Sequence, residues 1–201
     1  ESLRLSLQSL LAHRRSGDAA GEAMCLNNLG DLHMAMGRLA AAGPYLRDAL
    51  ALCDRLGIDG PRLYTLNNLA EVAVAENDLA AAEGYARRGL ELAVASGNRT
   101  IEAALTLQFA QIARLRGDLA QARARVAEGL ALVVSPRVPM LQFAGVILFA
   151  ELLAAAGEAG CAHALIAFVA GHPDVSAPVR DEANARRARL PPARGPVPAW
   201  P

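Results

Sequence analysis

At 201 residues the chain can bury a sizeable core as one domain, so neither a disulfide nor a metal is needed to hold it together. Apolar residues make up 53 % of it, aromatics only 4 %, and runs of strand-favouring Val, Ile and Thr are scarce, so helix is the expected structure throughout. All twenty basic residues are Arg and they balance twenty acidic ones to a net charge of zero, which argues against direct nucleic-acid binding.

Three cysteines, Cys25, Cys53 and Cys161, are odd in number and far apart, which argues against a secreted disulfide framework and points to the cytoplasm. The chain opens at Glu1 already in an amphipathic pattern of Leu3, Leu7, Leu10 and Leu11, without signal-peptide design, and is read as a fragment of something longer. A helix is expected over 1–16.

From there one period of 40 residues runs along the chain. It aligns Asn27-Asn28-Leu29-Gly30 with Asn67-Asn68-Leu69-Ala70, Leu107-Gln108-Phe109-Ala110 and Ile147-Leu148-Phe149-Ala150. The same offset superposes Gly37, Asn77, Gly117 and Gly157, and separately Ala42, Ala82, Ala122 and Ala162. A fixed period of this size means stacked supersecondary units. The Gly/Asn column can take positive φ and end a first helix, and the small residues on either side let a second helix cross it closely. Helix pairs are therefore expected at 21–36 and 39–56, 61–76 and 79–96, 100–116 and 119–134, and 139–156 and 158–170. Ser135-Pro136 and Pro139 break the chain before the fourth pair. Val138 to Gly157 is apolar enough to raise a membrane span, but Gln142 and Glu151 interrupt it and no membrane association is expected. A last helix with Ser176 as its expected cap runs to about 190, and the proline-rich 191–201 is expected to be a disordered tail.

Small-residue columns flanking a turn Gly resemble the tetratricopeptide repeat over roughly residues 1–171. The 40-residue length matches its long-helix variant, and Leu-Asn-Asn-Leu-Gly (26–30) with Leu-Asn-Asn-Leu-Ala (66–70) looks most like bacterial multidomain regulators of the MalT or AfsR kind. Gly89 and Gly129 depart from that pattern, standing where Ala is usual late in the second helix. The resemblance implies an all-α fold: a right-handed α-α superhelix of about four hairpins plus a C-terminal capping helix. It would form one solenoid domain over 1–190, with repeats at about 21–60, 61–100, 101–138 and 139–172, a partial helix at 1–16 and a cap at 176–190.

In such solenoids the first helix of each pair lines the concave face. The resemblance places Asn27, Asn28, Asp31 and Met34 there from the first unit, Tyr64, Asn67, Asn68 and Glu71 from the second, and Gln108, Gln111 and Arg114 from the third. A primary amide carries donors and an acceptor and can pair with a peptide whatever its side chains. The family precedent of Asn on ligand backbone carries over to Asn28 and Asn68, and more weakly to Gln108; the alternative is that these amides bridge neighbouring helices. Asp31, Glu71 and Glu151 favour a basic or amino-terminal ligand segment, or are ordinary solvated carboxylates. Leu148, among Phe143, Ile147 and Phe149, ends the polar groove as core or end-helix contact, or else lines an apolar pocket or self-association surface.

No catalytic motif appears. His13, His33, His163 and His172 are dispersed, and Cys161, His163, His172 and Asp174 match no strong zinc spacing. No enzyme activity, cofactor or metal is expected. The expected function is a non-catalytic protein- or peptide-binding module, part of a larger bacterial regulatory or signalling protein. The alternative is an intramolecular scaffold or dimerisation segment that transmits an effector's state to missing domains, with a homodimer formed through the N-terminal helix edge.

Overall fold

The computed structural model describes residues 1–133 and 139–193. Among them are ten α-helices and no strand. The chain falls into two compact units, Glu1–Gln108 and Phe109–Pro201.

The first unit holds α1 (Ser2–Ser16), α2 (Ala19–Ala35), α3 (Leu39–Leu56), α4 (Asp59–Ala75) and α5 (Leu79–Ser96), and takes the first ten residues of α6 (Arg99–Leu115). Each of α1 to α4 packs on the helix that follows it, and α2 also packs directly on α4. No comparable backbone packing joins α3 to α5, which meet instead through the exposed Arg88–Asp54 ion pair at 2.9 Å. The first helices of the two hairpins therefore lie closer together than the second ones. One cluster, Leu10, Ala23, Leu26, Leu29, Ala49, Leu52 and Cys53, ties α1, α2 and α3. A second, Ala42, Leu46, Leu50, Leu66, Leu69 and Val72, ties α3 to α4. Close crossing rests on the small-residue column: a Cβ built on Gly30 would stand 2.5 Å from the Leu46 side chain, and Ala70 is fully buried.

The turns follow from the residues that allow them. Gly37 ends the first hairpin's bend at φ 69°, and Asn77 takes the same left-handed place at φ 60°, the one non-glycine to do so among the described residues. Asp18 and Asp78 each accept a hydrogen bond from a backbone N–H in the next helix's first turn, from Gly21 and Ala81, and Asp118 does the same from Gln121 in the second unit.

That second unit contains the rest of α6, α7 (Leu119–Leu132), α8 (Pro139–Ala155), α9 (Ala159–Gly171) and α10 (Ala177–Arg189). Its core joins Phe143, Ile147, Ala150 and Leu153 of α8 to Ala162, Ile166 and Val169 of α9, closed by Val175 and by Ala183 of α10. Leu148 is buried and Phe149 packs against this core, so these residues are interior rather than an open apolar pocket. The ten helices start and stop within two residues of the ranges expected from the sequence. Position 134, the Ser135-Pro136 break and positions 194–201 of the expected tail lie outside the described residues. No helix among the described residues is long and apolar enough to cross a membrane.

Candidate binding face

The paired asparagines part company within one turn of helix. Consecutive helical residues are about 100° apart, so Asn27 and Asn28 cannot share a face. Asn27 is buried, 9 % exposed, and its Oδ1 accepts a hydrogen bond from Asn68 Nδ2 at 3.3 Å and lies 3.2 Å from Thr65 Oγ1. The single Thr65 hydroxyl proton is shared with the nearer Pro61 carbonyl at 2.8 Å, so Asn68 is the fuller partner. These bonds tie α2 to α4. Asn27, expected on the groove, is therefore a bridge between first helices, with Asn68 as its donor.

Asn68, half-buried, continues the chain: its Oδ1 accepts from Asn67 Nδ2 at 3.3 Å. Asn67 Oδ1 is buried without a hydrogen-bond partner among the described residues. The repeat shows one of the two donors to be missing here. Thr65 and Asn68 lie 38 and 41 residues after Asn27, and the same offsets from Asn67 give Leu105 and Gln108. Leu105 has no donor to offer. Its bulk fits because Gly89 leaves room: a Cβ there would stand 2.9 Å from Leu105 Cδ1.

Outward on α2, Asn28 and Asp31 are exposed, one helical turn apart, with no side-chain hydrogen bond or ion pair among the described residues. Tyr64 on α4 is 49 % exposed and Glu71 is exposed, with an interaction partner of its own. Met34 is half-buried against the Leu46 and Leu69 cluster and serves packing. Gln108 is half-buried at the end of the first unit.

Gln111 and Arg114 belong to the second unit and meet a different set of residues. Gln111 Oε1 accepts from Arg114 Nε at 3.2 Å, and the same Nε lies 3.4 Å from Glu151 Oε2. Glu151 Oε1 accepts from Arg186 Nη1 of α10 at 2.9 Å, and Arg186 also pairs with Glu182 at 2.7 Å. Burial works against the Arg186 charge, but the Glu151 and Glu182 carboxylates outweigh it and hold the guanidinium above its ordinary range. Sequence reasoning passed over Thr65, Glu182, Arg186 and Arg189; the last three sit on a helix outside the 40-residue period.

Groups able to do chemistry are scattered. Among the described residues no three His, Cys, Asp or Glu side chains gather as metal ligands would. His163 Nε2 meets the Pro191 carbonyl at 2.9 Å, and His172 lies between the rings of Phe143 and Phe168. Burial, and then the neighbouring Asp54 charge, pushes the Cys53 thiol up, away from the thiolate a nucleophile needs.

Helix follows helix in antiparallel pairs with a small-residue crossing, a left-handed turn residue and first helices in register: this is a helical-hairpin repeat protein. Residues 22–93, spanning α2 to α5 but for their outermost residues, match the family model of the tetratricopeptide repeat. No curated protein matches it. Tetratricopeptide repeats in general mediate protein–protein interaction, and no enzyme family is detected.

Proposed function

We propose that the chain is a non-catalytic module that binds an extended peptide or a partner domain on the α2–α4 face, as a cytoplasmic part of a larger bacterial regulatory or signalling protein. The carrying observation is that Asn28 and Asp31 stand exposed and unpaired on α2, while the neighbouring amides are spent holding α2 to α4. The closer spacing of the first helices supports reading this face as the inner side of the first unit's curve. Asn28 can pair with a peptide backbone, and Asp31 with Glu71 favours a basic segment or a free N-terminus. A display selection of random peptides with free N-termini tests this. Enrichment of basic or amino-terminal sequences is expected, and enrichment of nothing, or of acidic sequences, would contradict it.

A second reading has its own observation. On α1, Leu10 is buried and Leu3 packs against the same cluster, but Leu7 and Leu11 are 37 % and 51 % exposed on one side. A self-associating or intramolecular edge is the alternative that this face supports. Sedimentation equilibrium decides it: a concentration-dependent dimer abolished by Leu7→Ser with Leu11→Ser favours that reading, and a monomer at all concentrations counts against the dimer.

A further inference from the structure

Where α10 comes to rest against the second unit, it closes a recess of about 610 Å³ with the end of α6 and with α8. That size falls within the ~300–1,000 Å³ range of small-molecule sites. Three arginines line it, Arg114, Arg186 and Arg189, against two glutamates, Glu151 and Glu182, so one positive charge is in excess. Both glutamates are ion-paired, Glu182 to Arg186 and Glu151 through Oε1 to Arg186, while Glu151 Oε2 is buried 3.4 Å from Arg114 Nε without a hydrogen bond among the described residues. Arg189 makes no ion pair or side-chain hydrogen bond among the described residues and supplies the surplus charge. Because Gln111 Oε1 faces Arg114 Nε, the Gln111 amide is left with its NH₂ donors to offer. The rest of the lining is aliphatic surface, from Ala154, Ala155, Ala185, Leu190 and Pro191, with no aromatic ring for stacking.

The walls are held in place before any ligand arrives. His163 Nε2 meets the Pro191 carbonyl at 2.9 Å, fixing the segment that follows α10. At the other end of that helix Arg180 donates to the Ala170 carbonyl at 3.0 Å and to the Val175 carbonyl at 3.1 Å. Surplus guanidinium, a spare amide donor and an aliphatic wall together define what fits: two oxygens sharing one negative charge on a short saturated body.

We propose that this recess binds a small aliphatic monocarboxylate, with Arg189 pairing with the carboxylate and the alanine and Leu190 surface covering its chain. The site is independent of the α2–α4 face, and either proposal can fail without the other. The same carboxylate occurs at the C-terminus of a peptide, and the experiment separates the two sources.

Hexanoate is titrated into the full chain by calorimetry, beside hexanamide, which has the same body without the charge, and beside acetyl-alanyl-leucine, which carries the carboxylate on a peptide. Saturable hexanoate binding with Kd on the order of 1 mM is expected, at least tenfold tighter than hexanamide. Arg189→Gln should weaken it about tenfold, and Ala185→Phe, which fills the recess, should abolish it. Both variants are checked for unchanged helicity, and Arg189 lies on an exposed surface where its loss leaves the core intact. No saturation by hexanoate, equal binding of hexanamide, or an unchanged affinity in Arg189→Gln would overturn the proposal. Binding of the dipeptide alone would also overturn it, and would assign the recess to a polypeptide C-terminus.

Discussion

Asn68 donates its side-chain amide to Asn27 Oδ1 across 3.3 Å, from the first helix of one hairpin to the first helix of the one before. The acceptor is buried, so this bond forms away from competing water, and removing it leaves a polar group stranded. It divides the asparagine ladder into an inner part that holds the repeats together and an outer part, Asn28, that is open to a ligand.

Asn27→Ala should therefore destabilise the chain by about 1–3 kcal/mol, because it strands the Asn68 donor and opens a small void. Asn67→Ala should cost less than half as much, because its carbonyl already lacks a partner. Thermal melting of the two variants side by side checks the ranking, and equal losses would contradict it.

Gly30→Ala sets helix propensity against packing. Alanine gains about 1 kcal/mol in a helix interior, but its Cβ would stand 2.5 Å from Leu46, which is fully buried, and overpacking costs about 1–3 kcal/mol. Net destabilisation is expected. Gly84→Ala on α5, where a Cβ would meet nothing within 4 Å, should stabilise by about 0.5–1 kcal/mol. Urea denaturation of both variants reads the opposite signs directly.

At the second hairpin's bend, Asn77 holds φ 60° without the freedom of glycine. Asn77→Gly is expected to be neutral or slightly stabilising, and Asn77→Ala to cost about 1 kcal/mol. A lower midpoint for the glycine variant than for the alanine one would contradict the dependence on the backbone angle.

The 40-residue period made most of this fold legible, because every hairpin bends at Gly or Asn and crosses at a small residue. Adjacent asparagines were not separable in the same way. Which of Asn27 and Asn28 points inward depends on a helix phase that a column of Asn-Asn pairs does not set. The exchange of Thr65 for Leu105 and of Ala49 for Gly89 one period later was readable in the same columns, and it removes one of the two donors that Asn67 would need. The aspartate caps were also open to view, each just before a run beginning Ala-Ala or Leu-Ala. The Glu151–Arg186 pair was not, since α10 stands outside the repeat and no period fixes its register.

The backbone N–H of Gly21, and then the side chain of His13, holds the Asp18 carboxyl below its ordinary 3.8. A carboxyl depressed in the folded state contributes stability that is complete above its unfolded value and is lost as pH falls through the folded one. Melting followed from pH 5 downward should therefore show a loss beginning near the ordinary aspartate value, and Asp18→Asn should flatten that part of the profile. An identical profile in the variant would place the acid sensitivity elsewhere.

The most direct test of the central claim, that α2 presents a ligand-binding face distinct from the amides holding the repeats together, is the affinity of a display-selected peptide for Asn28→Ala with Asp31→Ala, measured alongside melting temperature. Weakening of tenfold or more with an unchanged melting temperature is predicted, from one lost backbone hydrogen bond and one lost charged contact of about 0.5–3 kcal/mol each. Unchanged affinity, or a fall in melting temperature matching that of Asn27→Ala, would contradict it.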